Sequence, residues 1–347
     1  MDHEKLRAAV ERTAGGGSFY PDPDWGAVRR LVAKDGGAGS WDAAIEAWAG
    51  ALRRSCGPFY QQVGGGRTVL VTPYALEVAA PLHERVERHA ERILKELPGL
   101  GTPPEQGPLV IVHFPGALPY REFVKASYPA PGITAPAEGV CVDRGVLHVA
   151  VYGEAVEWVE SVIVHQLVHA YLRHLHLPGW LDEGLAMALE ERLLAPGATP
   201  RAIALSALGG LPAPELELFW KGSPFVKGHA AGASDSELAL ALARHVLEAS
   251  YEKLSAFAIA AVRAPDSGRA AARERIGVNL DAVANRLNDR TSWIPWAGGD
   301  PANPRLRHTL SGTPRTRAAS KSFAGVALVV LIVLIIALVP TCGRMPY

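Results

Sequence analysis

The stretch that decides the fold runs from residue 159 to residue 188 and reads VESVIVHQLVHAYLRHLHLPGWLDEGLAMA. Its first half is apolar, as in a buried helix, and it contains His165 and His169. Side chains four residues apart project from the same face of a helix, so the two imidazoles are placed to chelate one metal ion. The chain contains 12 histidines, and such a pair is also compatible with ordinary packing or surface histidines.

The second half of this stretch offers a third ligand. Glu183 follows the second histidine by fourteen residues, within Trp180–Ala186 (WLDEGLA). Zinc sites in hydrolases use three protein ligands and keep a fourth position open. A turn at 178–179 and a second, antiparallel helix would return Glu183 to the histidines, and Gly184 would let these two helices approach closely. The alternative is an acidic pair that stabilises a helix start, with Asp182 as the N-cap.

The helical histidine pair followed by W-L-x-E-G-L-A resembles the gluzincin zinc metallopeptidases, especially their peptidase MA-like group. The resemblance covers roughly residues 64–295. It implies an α+β, zincin-like domain with a small mixed sheet, an active-site helix and a helical C-terminal half. It also implies that His165, His169 and Glu183 bind Zn²⁺, and that the cleft accepts a peptide or protein ligand.

Position 166 departs from the family pattern. The resemblance places a glutamate, the general base, directly after the first histidine, whereas this chain has Gln166. A glutamine can still form hydrogen bonds but cannot accept the proton, and general acid–base catalysis contributes about 10²–10⁴-fold to such reactions. The oxyanion-stabilising tyrosine of many relatives also has no counterpart at 234–239, and neither Tyr251 nor His229 aligns with a motif. Asp182 is the least implausible replacement base, although a helical Asp182 is expected to point away from the pocket.

Three functional interpretations follow from these residues. The first is a zinc-binding, catalytically impaired metallopeptidase-like protein with a peptide-binding role. The second is an active zinc peptidase that uses an unrecognised general base. The third is a structural or interaction module that binds no metal.

Around this stretch the apolar patterns predict a regular order of elements. Residues 1–63 are expected to form an N-terminal helical region and residues 64–297 the zincin-like domain. Within them we predict strands at 68–72 and 109–114, a hairpin of 139–143 with 146–152, and helices over 24–56, 81–97, 154–174, from 182 onward, 236–262 and 270–290.

The composition excludes several classes of protein. Lys plus Arg and Asp plus Glu number 35 each, so the chain lacks the basic excess of a nucleic-acid-binding protein. Cys56, Cys141 and Cys342 form neither a disulfide framework nor a zinc-binding Cys-x-x-Cys motif, which indicates a reducing compartment.

The C-terminal region predicts a membrane anchor. Residues 323–339 (FAGVALVVLIVLIIALV) carry no charge and reach the lower limit of about 17 residues for a spanning helix, whereas a buried core helix is more typical of runs of about 10–14. We expect a flexible linker at 298–322 and a short tail at 340–347. The linker side carries Arg305, Arg307, Arg315, Arg317 and Lys321 and the tail only Arg344, which predicts a single-pass anchor with the folded part in the cytoplasm.

Overall fold

The computed structural model of the chain describes residues 3–11, 19–35, 39–127, 138–195, 211, 213–225, 232–248 and 251–288. Its fold is α+β, with a five-stranded mixed sheet followed by a helical C-terminal half. The expected linker at 298–322, apolar segment at 323–339 and tail at 340–347 lie outside these residues, as does His229. None of the helices in the described ranges combines the length and the apolar content needed to cross a bilayer.

The sheet has the strand order β1-β2-β3-β5-β4. Strands β2, β3 and β5 are parallel, while β1 and β4 flank them as antiparallel strands. Strands β2 and β3 are buried along their whole length and are mostly apolar, because both faces of the sheet are covered. The strands are β1 (Gln61–Gly65), β2 (Thr68–Thr72), β3 (Leu109–Phe114), β4 (Gly139–Arg144) and β5 (Val146–Tyr152).

Twelve α-helices surround and follow the sheet in the described residues. They are α1 (His3–Val10), α2 (Trp25–Asp35), α3 (Gly39–Cys56), α4 (Leu76–Glu96), α5 (Ala117–Ser127), α6 (Val156–Leu172), α7 (Gly179–Leu194), α8 (Ala213–Trp220), α9 (Ala233–Leu247), α10 (Tyr251–Ala261), α11 (Arg269–Arg275) and α12 (Leu280–Asn288).

Two hydrophobic cores lie on opposite faces of the sheet. On one face, α4 and α6 pack on the sheet, and the core continues through α7 into the C-terminal helices. On the other face, α1, α2, α3 and α5 pack around Trp48, Phe114 and Phe123. The expected N-terminal helical region therefore shares a core with the sheet, and its last residues contribute most of β1.

Several predicted boundaries differ from the structure. The predicted helix at 236–262 is two helices, α9 and α10, and the predicted helix at 270–290 is divided into α11 and α12 at Gly277, whose φ of +72° favours glycine. Helix α7 begins at Gly179, about one turn before Asp182. The prediction that Asp182 is the N-cap of this helix was therefore wrong. Pro178 occupies the cap position instead, where its fixed φ suits entry into a helix.

Candidate metal centre

Helix α6 presents the two histidines to α7. The opposite face of α6 carries Val159, Ile163 and Leu167, which are buried in the core. This packing fixes the rotation of the helix about its axis. A short 3₁₀ turn (Arg173–Leu175) ends the helix, and His176 adopts a left-handed conformation with φ +51°. The chain then reverses, and α7 packs against α6.

The three predicted metal ligands converge. The Nε2 atoms of His165 and His169 are 3.1 Å apart. Oε2 of Glu183 lies 3.8 Å from Nε2 of His165 and 3.5 Å from Nε2 of His169. Among the described residues, these three form the one His, Cys, Asp or Glu group whose ligand atoms are close enough to share an ion.

These separations fit a zinc ion. With metal–ligand bonds of about 2.0–2.2 Å in a tetrahedral arrangement, ligand atoms should lie about 3.3–3.6 Å from one another. Of the three observed distances, 3.5 Å lies within this range, 3.1 Å lies just below it and 3.8 Å lies just above it. Two imidazole nitrogens and one carboxylate oxygen are also a donor set that zinc accepts, with three protein ligands and room for a fourth.

Two further carboxylates hold the imidazoles in place. His169 donates from Nδ1 to Oδ2 of Asp182 at 3.0 Å, and His165 donates from Nδ1 to Oε2 of Glu190 at 3.2 Å. The hydroxyl of Ser161 donates to the other oxygen of Glu190. A carboxylate on Nδ1 fixes the tautomer that leaves Nε2 free for a metal. The expectation that Asp182 points away from the site was therefore wrong, because the first turn of α7 faces His169.

Glu190 was not anticipated from the sequence. It lies seven residues after Glu183, two helical turns along the same face of α7, and this spacing is the signal that would have identified it.

The charges of the site are coupled. Burial favours the neutral form of both histidines, but the hydrogen bonds to Glu183 and Glu190 outweigh it and raise the pKa of His165 to about 9. Burial is likewise outweighed at His169, where Asp182 and Glu183 raise the pKa to about 10. Burial would raise the pKa of Glu183, but the two histidines hold it well below its usual range. Binding of a metal would thus displace protons from the imidazoles.

The Trp-Leu and glycine neighbours of Glu183 have structural roles. Trp180 is fully buried and donates from Nε1 to the carbonyl of Ser267 at 2.9 Å. A Cβ on Gly184 would lie 2.3 Å from the carbonyl oxygen of Ala239, on α9. The glycine therefore permits close packing of α7 on α9, and the expectation that it serves the approach of α6 and α7 was wrong.

Gln166 is a residue of α6, and its side chain faces the start of β4. Its side chain is buried, and its Cγ would be 3.2 Å from a Cβ placed on Gly139. The position at which the resemblance leads us to expect a general base is thus beside the edge strand of the sheet.

Other polar side chains of this region have partners of their own. Glu160 accepts hydrogen bonds from Arg85 and His89, at 2.8 and 2.9 Å. His174 is hydrogen-bonded to Thr102 at 3.1 Å. Tyr251, considered above as a substitute for the oxyanion-stabilising tyrosine, is the first residue of α10.

Comparisons with known proteins add no relative. No protein-family model matches the chain. No curated protein matches it either. The structure therefore shows an α+β fold with a His-His-Glu group that could hold a metal ion.

Proposed function

We propose that this chain is a zinc-binding, metallopeptidase-like protein with impaired catalysis, whose zincin-like domain binds a peptide or protein ligand. The observation that carries the proposal is the convergence of His165, His169 and Glu183, with a carboxylate behind each histidine. These three residues would hold the ion. When bound, zinc would supply Lewis acidity that polarises a carbonyl and lowers the pKa of a water molecule to about 7.

The proposed impairment of catalysis rests on the lack of a proton acceptor at position 166. Gln166 can donate or accept a hydrogen bond, but it cannot take up a proton. Besides Glu183, the carboxylates that contact the two histidines are Asp182 and Glu190, and both are already hydrogen-bonded to the imidazoles. This supports a site that binds over a site that cleaves, and it weakens the case for Asp182 as a replacement base.

The peptide ligand is supported by the sheet edge. Strand β4 pairs with β5 alone among the described strands, so its outer edge can accept an extended polypeptide. Gly139 at the start of β4 packs against Gln166, the residue after His165, which supports a peptide position near the proposed metal site. The membrane anchor at 323–339 and the cytoplasmic position of the folded part belong to the same proposal and rest on the sequence.

The test combines metal analysis with restoration of the base. The purified chain should contain close to one zinc per molecule, and the native protein should leave a fluorogenic peptide library largely intact. Gln166→Glu should raise chelator-sensitive hydrolysis by about 10²–10⁴-fold, the usual contribution of general acid–base catalysis. The double variant Gln166→Glu, His169→Ala is the matched control and should show no gain.

Each alternative has its own outcome. A native chain that already cleaves peptides and is inhibited by chelator would be an active peptidase. A chain without zinc after gentle purification would be a metal-free module. Zinc binding with no gain from Gln166→Glu would show that catalysis is lost at a second position as well.

A further inference from the structure

The starts of α4 and α6 expose large apolar side chains at one edge of the sheet. Both helices follow strands of the parallel set, β2 and β5, so both begin at the carboxyl ends of the parallel strands. The hydroxyl of Tyr74 donates to the carbonyl of Glu154 at 2.9 Å and ties the two starts together. Leu76, Val78 and Trp158 are 55%, 38% and 36% exposed here. Such clusters on a soluble surface mark interaction sites.

Carboxylates are neighbours of these apolar side chains in both helix starts. Glu77, Glu154 and Glu157 are all exposed, and the segments 73–79 and 153–159 contain no lysine or arginine. Together with Leu76, Val78 and Trp158, the three glutamates form what we call the α4–α6 patch. Acidic residues in a first turn stabilise the helix. That effect accounts for the carboxylates but leaves the exposed apolar side chains unexplained.

Trp158 is held in place although it is partly exposed. A Cβ on Gly153 would lie 2.7 Å from its Cδ1, so the indole packs directly on the glycine backbone. A tryptophan with little freedom to lose on binding is typical of the residues that dominate protein interfaces.

We propose that the α4–α6 patch is a docking surface for a segment of a partner protein that presents lysine or arginine beside large apolar side chains. Charge complementarity selects this occupant. The anionic cytoplasmic leaflet would be repelled by three carboxylates, and a second copy of the chain would present the same negative charges. Basic side chains on the partner would pair with the glutamates while its apolar side chains cover Trp158 and Leu76.

This surface is separate from the metal centre but close to it. Trp158 lies seven residues before His165 on the same face of α6, which is about 10 Å along the helix axis. Docking uses none of the metal ligands, so it should survive treatment with a chelator.

Binding of designed peptides to the full chain tests the proposal. The probes are amphipathic peptides of about four helical turns, composed of leucine and lysine, leucine and glutamate, or serine and lysine. They are measured by interferometry on the full chain in a neutral detergent. The leucine–lysine peptide should bind about tenfold or more tightly than the other two, and its affinity should fall as salt is added. Leu76→Ser, Trp158→Ser and Glu157→Gln should each weaken it several-fold, because they remove either the apolar or the charged half of the surface.

Matched variants elsewhere serve as controls. Ile259→Ser removes an equally exposed apolar side chain (59%) on α10, and Glu274→Gln removes an exposed carboxylate on α11. Neither should change the affinity. Leu76→Ser alters only an exposed side chain, so it decides the matter if the tryptophan variant misfolds.

Several results would overturn the proposal. One is equal binding of the leucine–lysine peptide to the native chain and to Leu76→Ser. Another is an equal loss in the Ile259→Ser control. Binding to lipid vesicles, or self-association in sedimentation, that is abolished by Leu76→Ser would assign the surface to a membrane or to a second copy instead.

Discussion

Substitution of Glu190 perturbs the proposed metal centre without touching a candidate ligand. Glu190→Gln keeps the size of the side chain but removes the charge that faces Nδ1 of His165 at 3.2 Å and accepts the hydroxyl of Ser161. Loss of such a partner behind a metal ligand costs about 10–100-fold in metal affinity, or about 1.4–2.7 kcal/mol. The side chain is 28% exposed, and solvent compensates part of the loss. We therefore expect the lower end of the range, a zinc dissociation constant raised about tenfold.

The assay is competition for zinc between the purified protein and a chromophoric chelator. Glu191→Gln is the matched control, because it is the same substitution one residue along α7 and its carboxylate pairs with Arg244 instead of a histidine. Circular dichroism should be unchanged in both variants. The reasoning is refuted if Glu190→Gln leaves the zinc affinity within about threefold of the native value, or if Glu191→Gln weakens zinc binding equally.

Two further perturbations test the packing around the site and the far side of the sheet. Gly184→Ala would place a methyl group 2.3 Å from the carbonyl oxygen of Ala239, so α7 and α9 must separate; we expect a loss of about 1–3 kcal/mol in urea unfolding and weaker zinc binding by the adjacent ligand. An unchanged unfolding midpoint would contradict this packing. Burial lowers the pKa of His148 to about 4. Its neutral form therefore stabilises the fold fully above about pH 6.5, and this contribution is lost as the pH falls toward 4, by up to about 3 kcal/mol. Unfolding curves at several pH values should show this dependence, and it should be smaller in His148→Leu.

The sequence predicted the features that depend on local pattern. Alternation and apolar runs located β2, β3 and the β4–β5 hairpin, since a strand covered on both faces is mostly apolar. The i, i+4 spacing of His165 and His169 placed them on one face of α6, and the motif around Glu183 supplied the third candidate ligand. All three meet in the structure.

The features that the sequence did not reveal depend on contacts between distant elements. Gly184 packs against Ala239, fifty-five residues away, and nothing local distinguishes that partner from α6. Whether Asp182 caps a helix or faces a histidine depends on where α7 begins, and helix boundaries are the least predictable part of a pattern. To predict the contact of Glu190 with His165, one would need to know which face α7 turns toward α6 and how the two helices cross.

The charged cluster between α6 and α7 argues for a metal on energetic grounds. Two imidazoles and three carboxylates share a partly buried site, in which each carboxylate lies 3.0–3.8 Å from an imidazole. Replacing a buried ionic group of this kind with apolar residues is often neutral or stabilising by about 1–4 kcal/mol, so stability alone does not account for it. A bound cation does, because it satisfies the Nε2 atoms and offsets the carboxylate charge. Gln166 leaves the His-His-Glu group complete, which agrees with the proposed function, in which metal binding is kept and catalysis is impaired.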